Sequence, residues 1–188
     1  MWWIKVGKSG FSTRARVDKS ARTPNTVSAR KHDVPLFTLV PHPRMFLGEY
    51  RHTLDQKGRV NLPTKFRKDL SQGVVITRGV DRCLFVYPRA TWERLSANLA
   101  RLPLTAQASR AFARLLLAGA MDVRPDGQGR VMLPEYLRAY ARLRKQVVIA
   151  GVYDRLEIWD AAAWQTYTRR TEQRSEAIAE TIGSITAT

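Results

Sequence analysis

Asp55-Gln-Lys-Gly-Arg-Val-Asn-Leu-Pro63 returns later in the chain as Asp126-Gly-Gln-Gly-Arg-Val-Met-Leu-Pro134, so D-x-x-G-R-V-x-L-P recurs at an offset of 126 − 55 = 71. Chance is a poor account of that match, and the chain reads as two copies of one unit. In each copy the Asp (Asp55, Asp126) suits the first position of a tight turn, where its carboxylate accepts backbone N–H bonds. The Gly (Gly58, Gly129) suits the fourth, where a left-handed conformation is needed. Polar-apolar alternation then begins at Arg59 or Arg130 and predicts a short half-buried strand. Pro63 and Pro134 end it, because proline cannot donate to a ladder and its fixed φ suits a helix start. Short helices are predicted over 64–70 and 135–143, with Phe66 and Leu70, or Leu137 and Ala141, facing inward.

Further along, Val74-Val-Ile-Thr matches Val147-Val-Ile-Ala. Asp81-Arg-Cys-Leu-Phe-Val-Tyr87, followed by Trp92, matches Asp154-Arg-Leu-Glu-Ile-Trp159, followed by Trp164. These β-branched and aromatic runs predict strands at 74–77, 84–87, 147–150 and 156–159, making the unit β-turn-β-helix-β-β. Helical spacing of apolar residues predicts helices over 89–102, 105–118 and 161–182. Trp92 and Trp164 occupy equivalent places and are expected to be packing anchors, not base-stacking residues. The fold class is α+β. The expected organisation is a basic extension over 1–44, a first unit over 49–96, a helical connector over 97–120, a second unit over 121–167 and a helical tail over 168–188.

Among the 188 residues, 32 Lys+Arg face 16 Asp+Glu, a net charge of +16 and a pI near 10.9. That balance asks for a polyanionic partner. The first 44 residues carry nine of the basic side chains and two acids. Three readings of them stand side by side: an organellar transit peptide, a basic DNA-gripping arm, or an upstream start ahead of a natural beginning at Met45. No apolar stretch is long enough to span a membrane, so no membrane partner is expected. The single Cys83 excludes an intramolecular disulfide and fits a reducing cytosol, and its apolar surroundings predict an inert thiol. No P-loop, G-x-S-x-G or G-x-G-x-x-G is present. Glu49 and His52 form only a weak E-x-x-H. No enzyme, metal or cofactor is expected.

From Met45 to about Tyr167 the chain resembles the bacterial MraZ family, whose members look like two tandem SpoVT-AbrB-type units. The resemblance rests on Met45-Phe-Leu-Gly-Glu49, the two D-x-x-G-R motifs, the prolines after them, Leu84-Phe-Val-Tyr-Pro88 and Leu156-Glu-Ile-Trp-Asp160. It implies a swapped-hairpin β-barrel built from both units, with flanking helices, and a ring-shaped homo-oligomer. It also implies binding to short G-containing repeats in double-stranded promoter DNA, ahead of the division and cell-wall gene cluster that includes the protein's own gene. The usual outcome is repression, and the location cytoplasmic and nucleoid-associated. The extension over 1–44 departs from the family pattern, as does Met121-Asp-Val-Arg-Pro125 at the entry of the second unit.

From spacing alone, Arg59 and Arg130 either project to contact guanine or phosphate, or close an ion pair inside their own turns. The resemblance carries them over as DNA-contacting residues, oriented by Asp55 and Asp126 in turns opened by Gly58 and Gly129. Lys57, Arg51, Lys65, Arg67, Lys68, Arg124 and Arg138 are candidate phosphate contacts. A nonspecific nucleic-acid binder and a protein-interaction module are the competing functions.

Overall fold

The computed structural model describes residues 45–186, with side chains as far as 183. The extension over 1–44 lies outside the described residues. Alternating strands build the centre: Val74, Ile76, Leu84, Val86, Ile149 and Ile158 point to one face of a sheet and are fully buried. Strands β1 (Phe46–Thr53), β3 (Val74–Arg78), β4 (Leu84–Pro88), β5 (Met121–Val123), β7 (Gln146–Tyr153) and β8 (Arg155–Asp160) form this antiparallel sheet in the order β1-β7-β8-β4-β3-β5. Strands β2 (Arg59–Asn61) and β6 (Arg130–Met132) pair only with each other, as a separate ribbon.

The halves are interleaved. The opening strand of the first unit, β1, pairs with β7 of the second, and the opening strand of the second, β5, pairs with β3 of the first. β2 pairs with β6 and β4 with β8. Neither half completes its strand pairing alone.

Two of these pairings are symmetric. The ribbon centres on Val60↔Val131, with Arg59 opposite Met132 and Asn61 opposite Arg130. The β4–β8 ladder centres on Phe85↔Glu157, with Leu84 opposite Ile158 and Val86 opposite Leu156. That symmetry locates the step in the repeat's offset. Matching Asp81-Arg82 with Asp154-Arg155 uses an offset of 154 − 81 = 73, which holds through β3 and β7. The ladder instead equates Leu84 with Leu156, an offset of 156 − 84 = 72, because the second hairpin is one residue shorter at its turn.

Val60, Leu62, Val131 and Leu133 of the ribbon are wholly buried against the sheet, together with Phe66, Leu70 and Leu137. Burying each such side chain is worth about 1.5–3 kcal/mol. This burial, and not three residue pairs of backbone hydrogen bonding, holds the ribbon in place. Phe66 meets the rings of Phe46 and Tyr50 edge-on at 5.1 and 5.5 Å. On the other face of the sheet lie α2 (Arg89–Ala100), α3 (Gln107–Leu117) and α5 (Ala161–Glu172). There the Thr77 hydroxyl donates to the Leu116 carbonyl at 2.6 Å.

Several expectations change on contact with the structure. The mixed α+β class is right, but the described residues form no closed barrel: the sheet ends on β1 and β5. β5 is only three residues long. Arg124-Pro125 comes directly after it, and proline has no N–H to extend a ladder. The predicted helix over 64–70 is a 3₁₀ turn, Thr64–Phe66, and then α1 (Arg67–Leu70). The helix over 135–143 is shorter: α4 (Glu135–Tyr140) stops where Arg142 takes a φ of 50°. The tail divides at residues 173–174 into α5 and α6 (Ser175–Thr186). Trp92 and Trp164 are half-buried, not fully buried. Trp92 leans on Tyr87 at 5.9 Å; Trp164 leans on Trp159 at 5.4 Å and donates to Glu49 at 2.9 Å.

Candidate nucleic-acid interface

The two D-x-x-G-R turns have nearly the same geometry. In the first, the Asp55 carboxylate accepts the backbone N–H groups of Lys57 and Arg59, both at 2.9 Å, and the Arg59 Nε at 2.7 Å. In the second, Asp126 accepts Gln128 N at 3.0 Å, Arg130 N at 2.9 Å and Arg130 Nε at 2.8 Å. Gly58 and Gly129 donate back to the carbonyls of Asp55 and Asp126, and their φ values of 74° and 75° explain why glycine stands there. The intra-turn ion pair is therefore formed in both copies. Bonds from the Arg backbone N–H and its guanidinium hold both carboxylates below their ordinary pKa, against the opposing effect of desolvation. Pinning does not hide the arginines, whose side chains remain 29% and 27% exposed.

Arg59 and Arg130 share one face. In the ribbon Val60 and Val131 point inward, so Arg59, Asn61, Arg130 and Met132 point outward. The two arginines form a diagonal cross-strand pair, which puts their Cα atoms about 7–8 Å apart. Asn61 and Met132 complete this exposed patch. Sequence reading passed over them because only the ribbon register places them beside the arginines.

Arg67 and Arg138 have a more specific place than surface charge. Each is half-buried, and each sends its Nε to a carbonyl, Arg67 to Leu62 O and Arg138 to Leu133 O, at 3.0 Å. Their side chains also cross to the opposite unit. A Cβ on Gly58 would lie 2.9 Å from Arg138 Nε, and one on Gly129 would lie 2.5 Å from Arg67 Cδ. Each turn is thus backed by the arginine of the other half. Their equal spacing at offset 71, inside otherwise diverged helices, was the signal available in the sequence.

Lys57, Lys65, Lys68 and Arg124 are exposed around the turns and the helix after the first of them. Arg51 is exposed too, but it pairs with Val148 and lies beside Trp164 and Thr168, on the side of the sheet that carries α5. It is not brought to the ribbon. Glu49 and His52, three residues apart on β1, point to opposite faces and form no joint site. Cys83 is buried just before β4, its thiol donates to Val80 O at 3.0 Å, and burial pushes its pKa upward. Among the described residues, no group of three or more His, Cys, Asp and Glu could hold a metal, and no helix is long and apolar enough to cross a membrane.

Two interleaved units, each with an Asp-pinned arginine at its turn, define a tandem-repeat protein that presents both arginines on one face. Comparison with known proteins agrees with the duplication. The family model described as "MraZ protein, putative antitoxin-like" matches residues 45–115 and again 116–184. The chain is 51% identical over 138 residues to the Transcriptional regulator MraZ of Natranaerobius thermophilus, covering 73% of this chain and 96% of that protein. It is 48% identical over 136 residues to the proteins of the same name from Moorella thermoacetica and Carboxydothermus hydrogenoformans, in each case covering 72% of this chain and 95% of the relative. The chain belongs to the MraZ family.

Proposed function

We propose that this chain is a sequence-specific, DNA-binding transcriptional regulator that reads double-stranded DNA with the outward face of the β2–β6 ribbon. The observation that carries this reading is the diagonal pair Arg59 and Arg130, each aimed by its own aspartate and backed by an arginine from the other half. A guanidinium fixed by one carboxylate keeps N–H groups free for the O6 and N7 of guanine. Lys57, Lys65, Lys68 and Arg124 flank the pair and serve as phosphate contacts. Arg67 and Arg138 hold the turns in position.

The finer reading is a repressor acting on short G-containing promoter repeats ahead of the division and cell-wall gene cluster, its own gene included. Several copies in a ring would present ribbons to successive repeats on one duplex, raising avidity without new contact types. Opening strands exchanged between halves support a swapped-hairpin arrangement of the two units. Cytoplasmic, nucleoid-associated residence goes with this role.

The test is a salt series of binding curves on repeat-containing and scrambled DNA, with oligomer mass measured in parallel. Arg59→Ala and Arg130→Ala should keep fold and assembly, and each should lose about 1–3 kcal/mol of discrimination. Lys68→Ala should weaken both DNAs alike. If both arginine variants bind repeats like the parent, the turns are structural tips only. If the parent fails to distinguish the two DNAs, the binding is nonspecific.

A further inference from the structure

Away from the ribbon, a cleft of about 850 Å³ opens between α5, the β3–β4 turn and the α4–β7 connection. Arg82 from the β3–β4 turn, Arg142 and Arg144 from the α4–β7 connection and Arg170 from α5 line it, and Trp159 and Tyr167 form its aromatic wall. Only Arg144 is committed to a carboxylate, through a bidentate pair with Asp160, which also caps α5 by accepting the N–H groups of Ala162 and Ala163. Arg82, Arg142 and Arg170 have no ion-pair partner among the described residues; the other acid at the rim is Asp81. The volume lies within the range of small-molecule sites. Tyr167 is half-exposed, with its ring 5.0 Å from that of Trp159.

The backbone supplies an independent observation. Leu143 N donates to Arg138 O and Arg142 N to Ala139 O, a Schellman cap in which Arg142 holds the left-handed position that glycine ordinarily takes. Asp81 and Arg82 both have a φ of 60° in the β3–β4 turn, where Asn-Gly would be the comfortable pair. Three of the four described non-glycine residues with positive φ therefore line one cleft, and two of them are arginines in glycine-like positions. Strained backbone that aims charged side chains into a concavity is the pattern of a binding site. The repeat does not require it: in the first half Ser71 stands at the position of Arg142, and the second half is two residues longer between α4 and β7, where Arg144 lies.

We infer that this cleft binds a nucleoside diphosphate or triphosphate, with the arginines on the phosphates and the base against Tyr167. Planar guanidinium forks match phosphate oxygens bidentately, and a planar base suits an aromatic wall. The inference does not depend on DNA reading by the ribbon.

Titration calorimetry of the full chain with ADP at about 150 mM salt tests it. ADP should bind once per chain, at least tenfold more tightly than pyrophosphate or adenosine. Arg142→Gly removes a guanidinium where glycine is the easier residue, so that variant should melt no lower than the parent. Combined with Arg170→Gln, it should weaken ADP binding at least tenfold while leaving duplex DNA binding unchanged. The inference is overturned if the parent shows no binding, if pyrophosphate binds as well as ADP, if the double variant binds ADP like the parent, or if Arg59→Ala alone abolishes ADP binding. A parallel loss of DNA affinity in the double variant would assign these arginines to the DNA backbone instead.

Discussion

β1 runs eight residues along β7, whereas its counterpart β5 runs only three along β3. On the helix-covered side of the sheet the halves part again. Cys83, Phe85 and Tyr87 in β4 and the residue before it correspond, at offset 72, to Arg155, Glu157 and Trp159 in β8. In the second half Glu157 accepts from Arg155 at 2.9 Å and from the Trp159 indole at 3.1 Å. Phe85 itself lies under the Arg155 guanidinium, 4.6 Å from ring centre to Cζ. The ribbon turns, by contrast, match to within 0.1 Å in their main Asp contacts. The two halves agree at the turns, where two arginines share a face, and differ on the side of the sheet that packs against helices.

The largest expected difference between the halves lies in the buried side chain three residues after each proline. Phe66→Ala should cost about 3–5 kcal/mol, and Leu137→Ala about 2–5 kcal/mol. Phe66 should be the worse loss, because its edge-on contacts with Phe46 and Tyr50 also anchor β1. Leu137, in the half with the short entry strand, is not aromatic and makes no edge-on ring contact. Urea denaturation of both variants measures this, and equal losses would mean that β1 is held by its pairing with β7 alone.

Glu157 sharpens the contrast on the other face. Glu157→Ala strands the Arg155 guanidinium and the Trp159 N–H in a largely buried site, a loss of about 1–3 kcal/mol. At the equivalent position Phe85→Leu, a swap between apolar side chains, should cost less than about 1.5 kcal/mol. Glu157→Gln keeps an acceptor and should fall between them. A Glu157→Ala variant as stable as the parent would show that water replaces the carboxylate in solution.

Alternation and turn chemistry told which residues face inward and where Asp55, Gly58, Asp126 and Gly129 bend the chain, because both are local. Partner strands are not local. A period of two assigns Val60 and Val131 to a buried face, but it does not say that they lie opposite each other, and only that pairing makes Arg59 and Arg130 neighbours. The same limit hides where the second hairpin loses its one residue: Asp-Arg recurs in both turns at offset 73, while Leu84 and Leu156 inside the core, like Tyr87 and Trp159 after them, stand at offset 72. Arg82, the pair Arg142 and Arg144, and Arg170 come from three segments with no shared spacing, so no pattern in the chain announces their meeting.

The two turns differ at Gln56 against Gly127 and at Lys57 against Gln128, and only the second exchange changes the charge. If the ribbon lies on DNA with both turns engaged, Lys57→Gln should lower the slope of log affinity against log salt by about one unit, and Gln128→Lys should raise it by a similar amount. The chain carrying both exchanges should recover the parent slope. A change from Lys57→Gln but none from Gln128→Lys would show that only the first turn reaches the phosphates.

The smallest effect tests whether the two turns are as alike in solution as in the structure. Asp55 and Asp126 are exposed carboxylates whose folded pKa is lowered, chiefly by the backbone N–H of Arg59 or Arg130 and also by the arginine side chain. A depressed carboxylate pKa contributes stability that is fully present above the unfolded value, about 3.9 for Asp. That contribution disappears as pH falls through the folded value. The turns should therefore stay closed at neutral pH and loosen only in acid, with little change in global stability, as befits surface ion pairs. Amide shifts of Gly58 and Gly129, monitored by NMR from about pH 6 to about pH 2, should both titrate with midpoints below the ordinary carboxylate value. Asp55→Asn should abolish the first transition and leave the second untouched, since each carboxylate bonds only within its own turn. If Gly129 titrates at the unperturbed value while Gly58 does not, Arg130 is released from Asp126 in solution, and the two turns are not alike there.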